Sequence, residues 1–160
     1  MAEEQTRFCS SYLLEDNAMK DVNGNIQYKD KTYKLVFNLN VMESIQEEYG
    51  TLDAWGELTD GTAYARREYE KLGKKVPWDA LPDKERNKYS GEPDAKAVIF
   101  GFTAMLNEGI DIDNEENGKD DKPLTLKQVG RMLTEIGFTG ATQKMNDAVI
   151  ASTKGEEKNE

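Results

Sequence analysis

The chain has 160 residues, a formal net charge of −10, a single cysteine and no histidine. Without histidine, Ser-His-Asp and Cys-His catalysis are excluded, as is a His-ligated metal site, and the lone Cys9 can build neither an intrachain disulfide nor a zinc site. A composition of 37% hydrophobic and 32% charged residues is polar but above the disordered range, so one domain with a modest core is expected.

The acidic total argues against a phosphate-binding face. A single cysteine fits a reducing, intracellular setting. The start of the chain, Met1 to Arg7, is polar and charged with no apolar stretch behind it, so no signal peptide is expected. No run approaches the roughly 18 apolar residues of a membrane span. No phosphate-binding loop or Gly-rich dinucleotide turn occurs. No catalytic residue, cofactor site or metal site is therefore assigned, and the expectation is a non-enzyme.

Residues 1–22 form an N-terminal segment without a clear pattern, although Ser11-Tyr12-Leu13-Leu14 can pack locally. Asn23-Gly24-Asn25 is a turn signal and Asp30-Lys31 a second one. Ile26 to Tyr28 and Thr32 to Phe37 flank the second, and Tyr33, Leu35 and Phe37 alternate with Thr32, Lys34 and Val36. This pattern predicts a short β-hairpin with one apolar face. Asn38 and Asn40 are both placed to cap the next helix, the first with a Phe37–Met42 staple, the second with Glu43 at the capping-box position. Val41, Met42, Ile45 and Tyr49 share one face, and Gly50 is suited to the C-terminal stop. Thr51 is a candidate cap for a shorter helix bearing Leu52, Trp55 and Leu58.

A third helix is predicted from Thr62 to Gly73, with a thin stripe of Tyr64, Tyr69 and Leu72. Lys74 to Gly91, with two prolines and many charges, reads as a connector holding one helical turn near Asp83 to Lys88. Pro93 suits a first helical position. Val98, Ile99, Phe102, Met105 and Leu106 then mark a central core helix that Gly109 is expected to end. Asp111 to Asp121 reads as an acidic loop. Thr125 and Gln128 form a capping box, Leu124 and Val129 a staple, and Val129, Met132, Leu133 and Ile136 a buried stripe. Gly137 is placed for a Schellman stop. A last helix is predicted over Gly140 to Ser152, with 154–160 as a charged flexible tail. The expected fold is mainly α, a small helical domain over residues 23–153 with a short N-terminal β-hairpin.

Three patterns admit a functional reading. Asp113, Glu115, Asn117 and Gly118 fit the first half of an EF-hand loop, but Leu124 stands at the twelfth position, where calcium needs a bidentate Glu. A solvated acidic loop is the favoured reading, with weak calcium binding as its alternative. Leu126 to Val149 can be drawn as a helix-turn-helix, yet its second helix offers only Gln143, Lys144 and Asn146 toward base edges. Trp55 and Trp78 could anchor a partner. Trp55 suits a core equally well, whereas Trp78, between two prolines in a polar connector, is the better exposed contact.

The segment Tyr33-Lys-Leu-Val-Phe-Asn-Leu-Asn-Val-Met-Glu-Ser-Ile-Gln-Glu-Glu-Tyr-Gly50 resembles the tail assembly chaperones of long-tailed, siphovirus-like bacteriophages and prophages. In that family a short strand enters a helix through a Phe-x-Leu-Asn junction, and the helix closes on Glu-Glu-aromatic-Gly. A second match follows in the same order: a helix like Lys96 to Asn107, a loop, and a Leu-Thr-x-x-x-Val-Gly-x-x-Leu helix, here Leu124 to Leu133. Thr59 to Gly91 has no counterpart in these motifs and reads as a variable insertion. The resemblance implies a mainly α, non-catalytic chaperone in the cytoplasm of the bacterial host, absent from the mature virion. It would bind the tape measure protein and help recruit the major tail tube protein, alongside a frameshifted longer form of itself. It implies neither nucleic-acid nor membrane binding. Helix-in-groove docking on a tape measure helix would use Met145, Val149 and Ile150, with Trp78 as a further contact. The alternative function is a helix-turn-helix DNA-binding regulator.

Overall fold

The computed structural model describes residues 24–89 and 91–158. The expectations placed on residues 1–23, Cys9 included, and on the last two residues lie outside them. In chain order the elements are β1 (Asn25–Tyr28), β2 (Lys31–Lys34), α1 (Leu39–Tyr49), α2 (Leu52–Asp60), α3 (Thr62–Lys71), a 3-10 turn (Trp78–Ala80), α4 (Asp83–Arg86), α5 (Ala95–Asn117), α6 (Leu126–Ile136) and α7 (Phe138–Lys158). The fold is mainly helical with a two-stranded antiparallel hairpin near the N-terminus, as the sequence predicts. The chain forms two compact units. One joins the described residues up to Val41 with those from Phe102 onward, and the other is Met42–Gly101.

In the first unit, β1 and β2 pair with Ile26 opposite Tyr33 and Tyr28 opposite Lys31. The turn is therefore Lys29-Asp30, one residue earlier than the predicted Asp30-Lys31. The pairing places Ile26 in the core, and a one-residue slip would turn it to solvent. Lys29 accepts a left-handed φ of 56° to close the turn. Past β2 the pairing continues for one residue, Leu35 N–H donating to Gly24 O at 2.8 Å, and the chain then turns to α5, Val36 N–H donating to Met105 O at 3.3 Å.

Asn38 is the cap of α1, its Oδ1 accepting from Val41 N–H at 3.2 Å. The side-chain amides of Asn38 and Asn40 both donate to Glu108 Oε1, at 2.9 and 3.0 Å. The carboxylate of Glu108 thus ties the strand-to-helix junction to α5, and Asn40 is used in this bridge rather than as a cap.

Two expectations for α5 are corrected. Gly109 does not end the helix, which continues to Asn117, and residues 111–117 are helical rather than loop. A Cβ on Gly109 would stand 2.3 Å from the Lys34 carbonyl oxygen. Its role is to let the hairpin backbone lie against the helix. The true stop is Gly118, φ 63°, with the Lys119 N–H to Asn114 O bond of a Schellman motif. The capping box of α6 forms as predicted: Gln128 N–H donates to Thr125 Oγ1 at 3.1 Å and Thr125 N–H to Gln128 Oε1 at 2.9 Å. Val129, Met132 and Leu133 are buried, each contributing about 2 kcal/mol of apolar burial. Gly137 ends α6 through its N–H to Leu133 O, but with φ 106° and ψ 120° it lies outside the left-handed helical region a Schellman stop needs. It separates α6 from α7 by one residue, and α7 runs on from Phe138 to Lys158, past the predicted Ser152.

In the second unit, Thr51 caps α2 by accepting from Ala54 N–H at 3.0 Å. The cap of α5 is Asp94, whose carboxylate accepts from Ala97 N–H at 2.9 Å, so Pro93 precedes the cap instead of opening the helix. Trp55 is core. Its indole N–H donates to the Ala97 carbonyl at 2.9 Å, and its ring lies where a Cβ on Gly101 would stand, 2.3 Å from Cζ2. Ala97 and Gly101, one helical turn apart, form the seat for the indole.

Candidate partner-binding surfaces

The first unit carries a cleft of about 910 Å³ between β2, the C-terminal half of α5 and the return loop to α6. Two asparagines one heptad apart on α5 fix that loop. Asn107 Nδ2 donates to Leu124 O at 3.0 Å while Leu124 N–H donates to Asn107 Oδ1 at 2.7 Å. Asn114 repeats the arrangement with Asp121, at 3.0 and 3.1 Å. Each side-chain amide stands in for a strand backbone, satisfying one loop N–H and one loop C=O. Lys31, Lys34 and Lys122 line the cleft together with Glu116, Asp120 and Asp121, so it offers both signs of charge. Asp113 is held below the usual carboxylate range by hydrogen bonds from Lys119 and then Asn117. The EF-hand pattern does not become an EF-hand loop, because its first five residues, Asp113 to Asn117, are the last turn of α5. Among the described residues no group of three or more His, Cys, Asp or Glu is placed to hold a metal ion.

Helix α7 carries three of the expected contact residues. Met145 is fully buried within its own unit. Ser152 Oγ donates to Phe37 O at 3.0 Å, which seats α7 against the segment leading into α1. Val149 is half-buried, and Ile150 is 51% exposed. Leu126, at the first position of α6, is also exposed at 53%. It stands one turn before Val129 and two before Leu133, on the edge of the same stripe, so periodicity alone does not reveal its exposure. Of the residues considered for base contact, Gln143 is exposed, Asn146 half-buried and Lys144 buried.

Trp78 corrects its expectation: it is 6% exposed and forms a small core with Ala65 and Tyr69, against which Leu81 and Tyr89 pack. Tyr69, Trp78 and Tyr89 contact one another with ring centroids 5.1 to 6.2 Å apart in edge-to-face or tilted arrangements. Such pairs add about 0.5–1.5 kcal/mol each beyond burial. Arg86 closes the 3-10 turn, donating from Nε to Trp78 O and from Nη2 to Asp79 O, with its guanidinium 5.8 Å from the Trp78 ring centre. The predicted connector is therefore a folded platform. Ala65 takes the place in the α3 stripe expected for Leu72, because the chain turns away from the helix at Leu72.

What this platform displays was not evident from helical periodicity. Leu72 is 58% and Val76 48% exposed, with Lys71, Lys74 and Lys75 exposed around them. Tyr69 OH donates to Val76 O, and Lys74 Nζ donates to Tyr89 OH at 3.1 Å, which raises the lysine's pKa. Nearby, Arg66 makes a two-pronged ion pair with Glu57 at 2.6 and 2.7 Å, holding that carboxyl below its ordinary range. Tyr64 OH donates to Asp94 at 2.7 Å and so fastens α3 to the cap of α5. Between Arg66 and Lys88 stand eight Lys or Arg against five Asp or Glu, while the remaining chain has thirteen against twenty-six. A charge census by segment is the sequence signal for this surface.

Among the described residues no helix is long and apolar enough to cross a membrane. Comparison of the chain with protein-family models, curated proteins and solved structures finds no match.

Proposed function

We propose that the chain is a tail assembly chaperone of a long-tailed bacteriophage or prophage, which binds the tape measure protein and helps recruit tail tube subunits in the host cytoplasm. The observation that carries this reading is the ordered pair of motifs, Tyr33 to Gly50 and Leu124 to Leu133. The first runs from the end of β2 through an asparagine-capped helix to its glycine stop, and the second opens a helix with a reciprocal capping box. Exposed Ile150 on α7 and Leu126 on α6 supply aliphatic anchors suited to a long partner helix.

Co-expression with the long helical protein encoded next to it tests the reading. A soluble complex that co-elutes is expected, and Ile150→Asp should weaken it about ten-fold or more while leaving the melting temperature unchanged, because Ile150 is exposed. An insoluble neighbour and no complex would sink the proposal. The helix-turn-helix alternative predicts instead a gel shift of duplex DNA that weakens steeply as salt rises.

A further inference from the structure

We propose that the Lys71–Val76 ledge docks an acidic amphipathic helix of a partner protein. The ledge lies in Thr59 to Gly91, the stretch without a counterpart in the chaperone motifs, so the inference goes beyond the tape measure reading. Leu72 and Val76 are exposed just past the end of α3, the helix that buries Ala65 and Tyr69 in an aromatic core with Trp78. The loop between them is fixed. Leu72 and Gly73 N–H donate to Tyr69 O and Glu70 O, at 3.0 and 3.1 Å, and the Tyr69 hydroxyl anchors the Val76 carbonyl. Two aliphatic side chains on a pre-set loop lower the ordering cost of binding.

Charge defines the partner. The segment Arg66–Lys88 is cationic in a chain whose remainder is strongly anionic. An acidic partner is repelled by the remainder and attracted here, so the field selects the ledge as well as strengthening contact. Single-stranded nucleic acid fits less well. Its bases stack on exposed aromatic rings, and Tyr69 and Trp78 are buried beneath the ledge. Exposed Leu72 and Val76 answer the apolar stripe of a helix, with Lys71, Lys74 and Lys75 beside them for its flanking carboxylates.

The full chain can be titrated into a labelled peptide of about 18 residues, with Leu along one face and Glu beside it, and binding followed by fluorescence anisotropy. Control peptides replace Glu by Lys or Leu by Ser, and a single-stranded oligonucleotide serves as a phosphate control. The acidic amphipathic peptide is expected to bind, with affinity falling about ten-fold between about 50 and about 300 mM salt. The double variants K71Q/K75Q and L72D/V76D should each weaken it at least about ten-fold with little change in the melting temperature, since all four side chains are exposed and Gln removes the charge without setting Glu against Glu68. No binding by the acidic peptide, equal binding by the Lys peptide, undiminished binding by both double variants, or tighter binding of the oligonucleotide would each overturn the proposal. Ile150→Asp should leave this binding unchanged, which separates the ledge from the tape measure site.

Discussion

At Gly109 one absent methyl group decides whether the hairpin can rest on α5. The Lys34 carbonyl oxygen lies 2.3 Å from the position a Cβ would take, and a backbone atom cannot swing aside as a flexible side chain can. Gly109→Ala should cost about 1–3 kcal/mol in denaturant unfolding, far more than the gain in helix propensity from removing a glycine. An unchanged or raised midpoint would show that hairpin and helix do not meet there. Asn107 acts through hydrogen bonding. Asn107→Ala strips partners from both the N–H and the C=O of Leu124 and should cost about 1–3 kcal/mol, with faster amide exchange at Leu124 as the local readout. Neither residue's role is legible in the sequence. Gly109 reads locally as a helix stop and nothing local singles out Asn107, because the partner of each lies far away along the chain or across a loop.

At the scale of elements, capping was readable and burial only partly so. Asn38, Thr51, Thr125 and Gln128 cap the helices for which their spacing suits them, since a cap bonds a backbone group within three residues. Val129, Met132 and Leu133 of the α6 stripe are buried as their period demands, and Ile136 is half-buried. In the Lys74–Gly91 stretch the helical turn at Asp83–Arg86 matches the sequence reading, but the aromatic core does not show in it, for the converse reason. Its order comes from Tyr69, Trp78 and Tyr89, which are spread over 21 positions and show no helical or strand period. Trp78→Ala should cost about 3–5 kcal/mol and open the segment to trypsin between Lys71 and Lys88. Protection equal to that of the parent chain would mean that the aromatic core does not hold the segment.

For the molecule as a whole, charge sets the expectation. A formal net charge of −10 on 160 residues opposes compaction through self-repulsion. Raising salt from about 20 to about 300 mM should therefore stabilise the chain by up to about 1 kcal/mol in thermal or denaturant unfolding, because screening relieves repulsion more than it weakens the few exposed ion pairs. A fall in stability over that range would show that the ion pairs dominate.

By itself the sequence determined the helical class, the hairpin, most of the caps and the absence of histidine chemistry. These follow from residue identities and from interactions a few positions apart. Only the tertiary structure decided that α5 passes through Gly109, that Trp78 is core, that Met145 faces inward, and that Leu72 and Val76 face solvent. Each depends on what a distant stretch of chain brings alongside, and local periodicity carries no record of that approach.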